Sequence, residues 1–162
     1  MYLLALELPV VCIRLSEGAS SKMVPRGIRN NNPGNLNFAQ QENAHLEKGV
    51  PHPRFAAFPT MSDGYAALIK QLSLYFSRGT NTVQKIIKLW APPNENATAA
   101  YAAYVAKSMA VKPDTVLSHN PSNLTHIAQA ICYYENGEVP MVYNDVFKIA
   151  QGAIHNGSTV AS

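Results

Sequence analysis

Cysteine is almost absent: Cys12 and Cys132 are the only two in 162 residues, far apart and each within an apolar stretch. That scarcity excludes a disulfide framework and a cysteine-built metal centre, and a buried thiol is the plain reading of each. A bridge between the two stays open, and the redox compartment with it. Histidine gives no metal site either, because His45, His52, His119, His126 and His155 are scattered and no pair has HxxxH spacing. We expect no metal and no cofactor. Long apolar runs are missing as well. Nothing approaches the roughly 20 residues of a spanning helix, which speaks against stable membrane insertion. Charged residues make up only 14%, with 13 Lys and Arg against 10 Asp and Glu, a net of +3. This mild excess favours polyanions, but no basic cluster is denser than Arg26 and Arg29 and no aromatic residues interleave with one, so nucleic acid has no recognition surface here.

What is present is enough apolar residue, 47%, for one ordinary domain. Three regions differ. Residues 1–22 run from apolar MYLLALELPVVCIRL to small and polar SEGASSK; no basic stretch precedes the apolar part, and Glu7, Pro9 and Arg14 interrupt it, which argues against a classical secretory signal. A leader or a short packed helix fits better. Residues 23–155 read as the domain, and 156–162 as a tail.

Within the domain, Met23 to about Thr60 is dense in Asn, Pro and Gly, which predicts turns, extended segments and a small hairpin. Helical periodicity follows. Ser62 is a candidate cap for a helix carrying Tyr65, Leu68, Ile69, Leu72, Tyr75 and Phe76, stopped by Gly79. A second helix starts near Thr82 with Val83, Ile86, Ile87 and Trp90 on one side and ends at Pro92 and Pro93. A third begins near Thr98, with Tyr101, Tyr104, Val105 and Met109. Asn120 caps a fourth whose stripe is Leu124, Ile127, Ala128, Ile131 and Cys132, closed by Gly137. A last helix near 144–154 uses Val146, Ile149, Ala150 and Ala153. The predicted class is mainly α, with an irregular N-terminal arm.

Few carboxylates are available as an acid catalyst. Glu135 continues the spacing of Leu124, Ile127, Ala128 and Ile131, so it lies at the edge of a buried face. It also ends its helix, where the macrodipole disfavours negative charge. Both effects favour the protonated form that a proton donor needs. A solvated helix-end glutamate beside surface tyrosines is the plain alternative. Cys132 and His126, six residues apart, fall on different helix faces, which weakens a cysteine-peptidase reading.

The segments PRGIRNNNPGNL (25–36), PRFAAFPTMSDGYAAL (53–68), TVQKIIKLWAPPNENATAAYAAYV (82–105) and AICYYENG (130–137) follow one another with short spacers. Together they resemble a family of phage virion proteins and prophage-encoded or secreted lysozyme-like peptidoglycan hydrolases, from Met23 to about Ile154. AICYYENG is also similar to the end of the catalytic helix in lytic transglycosylases. The family has a histidine before Glu-Asn-Gly, where Tyr134 stands here.

The resemblance implies a lysozyme-like fold and cleavage of glycan strands between N-acetylmuramic acid and N-acetylglucosamine, with Glu135 as general acid. Glu95, near a helix N-terminus that favours its charge, is the candidate second carboxylate, or only part of a cap. Asn31, Asn32 and Asn35 offer amides suited to hydroxyl and N-acetyl groups, and Gly34 permits close backbone approach; the same residues build turns whatever the function. Trp90, Tyr101 and Tyr134 are candidates to contact sugar, or core and rim residues. The implied partners are peptidoglycan and a phage particle or secretion machine that delivers the protein to the periplasm or cell wall. A noncatalytic virion or secretion-apparatus component that binds the wall is the rival reading; it would keep the framework without needing an ionisable Glu135.

Overall fold

The computed structural model describes residues 23–91 and 95–158, without the side chains of 95, 96 and 156–158. The expected leader 1–22 with Cys12, the helix stop at Pro92 and Pro93, and residues 159–162 lie outside the described residues.

The arm holds a short helix, α1 (Arg26–Arg29), that the periodicity did not signal, and two antiparallel strands, β1 (His45–Leu46) and β2 (Ala56–Ala57). His45 pairs with Ala57 and Leu46 with Ala56. The alanines are buried while β1 is exposed, so the hairpin lies with β2 inward. The fold is mainly α-helical thereafter, with α2 (Met61–Ser77), α3 (Val83–Trp90), α4 (Glu95–Ser108), α5 (Pro121–Asn136) and α6 (Tyr143–Ser158).

Three helices open on the same device, a side-chain oxygen accepting the third residue's N–H. Asn120 accepts from Asn123 as the predicted cap, and Thr82, near the expected start of the second helix, accepts from Lys85. At α2 the cap is Thr60 and not Ser62. Thr60 Oγ1 accepts from the Asp63 N–H at 3.1 Å and its hydroxyl donates to the Asp63 carboxylate at 2.6 Å. That reciprocal pair satisfies more groups than a cap two residues later could. Two other bounds move outward. Helix α4 begins at Glu95 rather than near Thr98, placing an acid in the first turn where the macrodipole favours it. Helix α6 runs through Gly152 to Ser158, into the expected tail.

Helix α5 is the hub, touching α1, α2, α4 and α6. Its Leu124, Ile127, Ala128, Ile131 and Cys132 are fully buried, and they meet Tyr65, Leu68, Ile69 and Leu72 of α2, Val83, Ile86 and Ile87 of α3, Val105 of α4 and Val146 and Ala150 of α6 in one core. Every predicted stripe faces this core. Only Tyr75, Trp90, Tyr104, Met109, Ile149 and Ala153 stop at its margin, partly buried.

Candidate functional site

Helix α5 ends where Gly137 turns left-handed at φ 73° and its N–H bonds the Tyr133 carbonyl at 2.7 Å, a conformation that glycine reaches without a Cβ clash. This stop leaves Glu135 half-buried on the last turn. Among the described residues, two donors reach its carboxylate. The Tyr101 hydroxyl, from α4, donates to Oε1 at 2.9 Å, and the Asn35 amide, from the arm, donates to Oε2 at 3.1 Å. Three separate stretches of chain therefore converge on one carboxylate. Burial raises the Tyr101 hydroxyl far above the ordinary tyrosine value and the Glu135 charge raises it further, so Tyr101 stays protonated as a donor. Among the described residues no Lys, Arg or His nitrogen lies within ion-pair distance of Glu135.

The Asn-rich segment divides its members between scaffold and site. Asn32 is fully buried and spends its whole amide internally: Nδ2 donates to Leu36 O at 2.9 Å and Ala56 O at 2.8 Å, while Oδ1 accepts from the Leu36 N–H at 2.9 Å. Asn31 donates to Phe58 O and Pro59 O. Asn31 and Asn35 both take left-handed backbone, at φ 50° and 51°, which asparagine tolerates better than most residues. Gly34 is buried beneath Trp90 and Leu68, and a Cβ there would stand 2.8 Å from the indole. Of this segment, Asn35 is the residue delivered to Glu135.

The aromatic candidates cluster on the same edge. Tyr134 stacks on Tyr101, with ring centroids 3.7 Å apart and planes 11° apart, and Tyr104 tilts against Tyr134 at 5.4 Å. Tyr101 is thus buried, and its hydroxyl rather than an open ring face is what it brings to the site. Tyr134 is 42% exposed and covers the Tyr101 ring. Trp90 is partly buried over Gly34. Glu95 stands on the first turn of α4, its side chain outside the described residues.

Two residues that sequence reasoning missed hold the arm in place. Glu47 is buried and accepts from Arg26 Nε and Asn30 Nδ2, both at 2.8 Å, and from the N–H groups of Arg54 and Phe55 at 3.0 and 2.9 Å. The Arg26 hydrogen bond holds its carboxyl far below the ordinary range, the backbone and Asn30 bonds add to this, and burial opposes it. A carboxylate in an aperiodic loop carries no signal of burial, so it could not be singled out. Asn136, buried at the end of α5, donates to Pro33 O at 2.9 Å and Cys132 O at 3.0 Å. Its only signal was adjacency to Glu135.

Other sites are weaker. Burial raises the Cys132 thiol above its ordinary value, and it donates to Glu138 O at 3.4 Å, so it is no thiolate nucleophile. A groove of about 740 Å³ runs along α2 and the end of α6, floored by Ala66, Ala67, Ala153 and Ile154. Glu135 does not line it. Of its carboxylates, Asp63 is committed to the α2 cap and Glu42 is exposed, which leaves it without the convergent chemistry found at Glu135. Among the described residues, no three His, Cys, Asp or Glu side chains gather as a metal site, and no helix is long and apolar enough to cross a membrane.

Fold and site together define a mainly helical domain with one donor-held carboxylate at the end of its central helix. No family model matches the chain. It is 31% identical over 127 residues, covering 76% of this chain and 78% of the relative, to Protein P5 of Pseudoalteromonas phage PM2. The chain belongs to the family of that phage protein.

Proposed function

We propose that this protein is a lysozyme-like enzyme that cleaves bacterial peptidoglycan between N-acetylmuramic acid and N-acetylglucosamine, as a lytic transglycosylase or muramidase. The observation that carries the reading is the arrangement at Glu135: a half-buried carboxylate gripped by two neutral donors and, among the described residues, paired with no cation. Proton donation to a glycosidic oxygen requires a carboxyl group fixed in direction and free of an ion-pair partner. Tyr101 and Asn35 supply the direction. Each carboxylate oxygen retains a second lone-pair site that can carry the acid proton, so a glycosidic oxygen can accept that proton while both donors remain in place. The likeness of PRGIRNNNPGN and ENG to wall-cleaving enzymes, and kinship with a phage protein, support a wall substrate reached in the periplasm or cell wall by phage or secretion machinery.

The deciding experiment compares wild type with Glu135→Gln on purified peptidoglycan, following turbidity and the mass of released muropeptides. The amide keeps the shape and removes the proton donor, so release should slow by ~10²- to 10⁴-fold. Anhydro-muramic ends identify transglycosylation, and reducing ends identify hydrolysis, with Glu95 as the second carboxylate. A wild type that releases nothing selects the noncatalytic wall-binding reading. A variant as active as wild type removes Glu135 from the chemistry.

A further inference from the structure

We infer that Asn136 and Gly27 are positioning residues that aim Asn35 at Glu135. The functional meaning rests on Glu135 being the working acid, but the geometry stands without it. Asn136 grips the carbonyl of Pro33, two residues before Asn35, and anchors it to the Cys132 carbonyl one turn down α5. The Asn35 N–H bonds Asn32 O at 3.1 Å and the Asn32 N–H bonds Gly27 O at 2.8 Å, closing a loop of bonds around the left-handed Asn35.

The amide oxygens of Asn35 and Asn136 are both buried and meet no hydrogen-bond donor among the described residues. Both face the Cα of Gly27. A methyl group on Gly27 would overlap Asn136 Oδ1 and stand 2.7 Å from Asn35 Oδ1 and 2.8 Å from Asn32 O. Glycine is the one residue that lets both amides lie this close to α1, leaving each nitrogen turned outward, one to Glu135 and one to Pro33. A buried acceptor left without a conventional donor costs stability, and strain retained at a site is a mark of function. The cost here has a return: with its oxygen shut against Gly27, the Asn35 amide presents only its nitrogen to Glu135.

The test is by NMR on the full chain, reading the Asn35 side-chain amide. Glu135→Ala, which removes the acceptor, defines the unbonded position of that signal. Asn136→Ala should move the signal to the same position while the chain still melts cooperatively, and a second Glu135→Ala change should then add nothing. Gly27→Ala reaches the same end from the other side, and as α1 backbone is ordinary there, helix propensity favours the alanine. On peptidoglycan both variants should lower kcat by about a hundred-fold, the scale of an ångström's misplacement, with KM little changed. An Asn35 signal that keeps its wild-type position and its response to Glu135→Ala in both variants overturns the proposal. So does unfolding of both, which would make them plain scaffold. If the wild type releases no muropeptides, the enzyme reading fails while the NMR comparison still decides the positioning.

Discussion

Asn35 and Glu135 stand 100 residues apart in the chain and 3.1 Å apart in space. The contact joins an arm with little regular structure to the last turn of the central helix, so the site belongs to neither part alone. Tyr101 completes it from a third direction, and that division of labour leads to separable predictions.

Tyr101→Phe removes the hydroxyl and keeps the ring under Tyr134. Losing one hydrogen bond to a carboxylate should cost ~1.5 to 3 kcal/mol, and muropeptide release should slow while folding persists. Wild-type release rates together with an unchanged melting temperature would show that the hydroxyl holds nothing.

Asn32→Ala should act on stability. Three bonds from one buried amide are lost, and the Leu36 N–H and Ala56 carbonyl are left buried at about 1 to 3 kcal/mol each. Denaturant unfolding should show the loss; a variant equally stable but weaker in binding to peptidoglycan would move Asn32 from scaffold to ligand contact.

Ile131→Ala tests the hub. The side chain is fully buried on α5, so the cavity should cost ~2 to 5 kcal/mol. A melting temperature within a degree of wild type is incompatible with the packing described.

Acid stability should depend on Glu47. Its folded-state value lies below the ordinary 4.5, so its contribution is fully present above that value. It is lost as pH falls from there toward the depressed folded value, by up to about 1.4 kcal/mol per pH unit while the unfolded chain holds the extra proton. Melting temperature measured from pH 6 to pH 3 should fall more gently in Glu47→Gln than in wild type. Equal slopes would mean that Arg26 does not hold the carboxylate.

Much of this was legible in the sequence, and unevenly so. Stripes such as Leu124, Ile127 and Ile131 declare a buried face because helical geometry repeats every few residues, and Glu135 could be read as the next step on that face. Position along one helix is local information. Tyr101 was legible as an aromatic at the margin, but not as the donor to Glu135, because that depends on how α4 crosses α5. Asn31, Asn32 and Asn35 look alike in sequence; what separates them is which backbone groups lie opposite, fixed by residues as distant as Ala56 and Phe58. Glu47 had no pattern around it at all. The Thr60 cap was missed by two residues because both Thr60 and Ser62 can cap, and only the Asp63 side chain reaching back decides between them.

The distance between Asn35 and Glu135 also orders events in time. A ribosome adding ~5 to 20 residues per second releases the asparagine roughly 5 to 20 seconds before the glutamate, and Tyr101 in between. Until α5 emerges, the arm has no Asn136 to seat Pro33 and the tyrosine no carboxylate to meet. A nascent chain therefore carries the mould without the acid, and the complete site comes into being only once α5 has emerged.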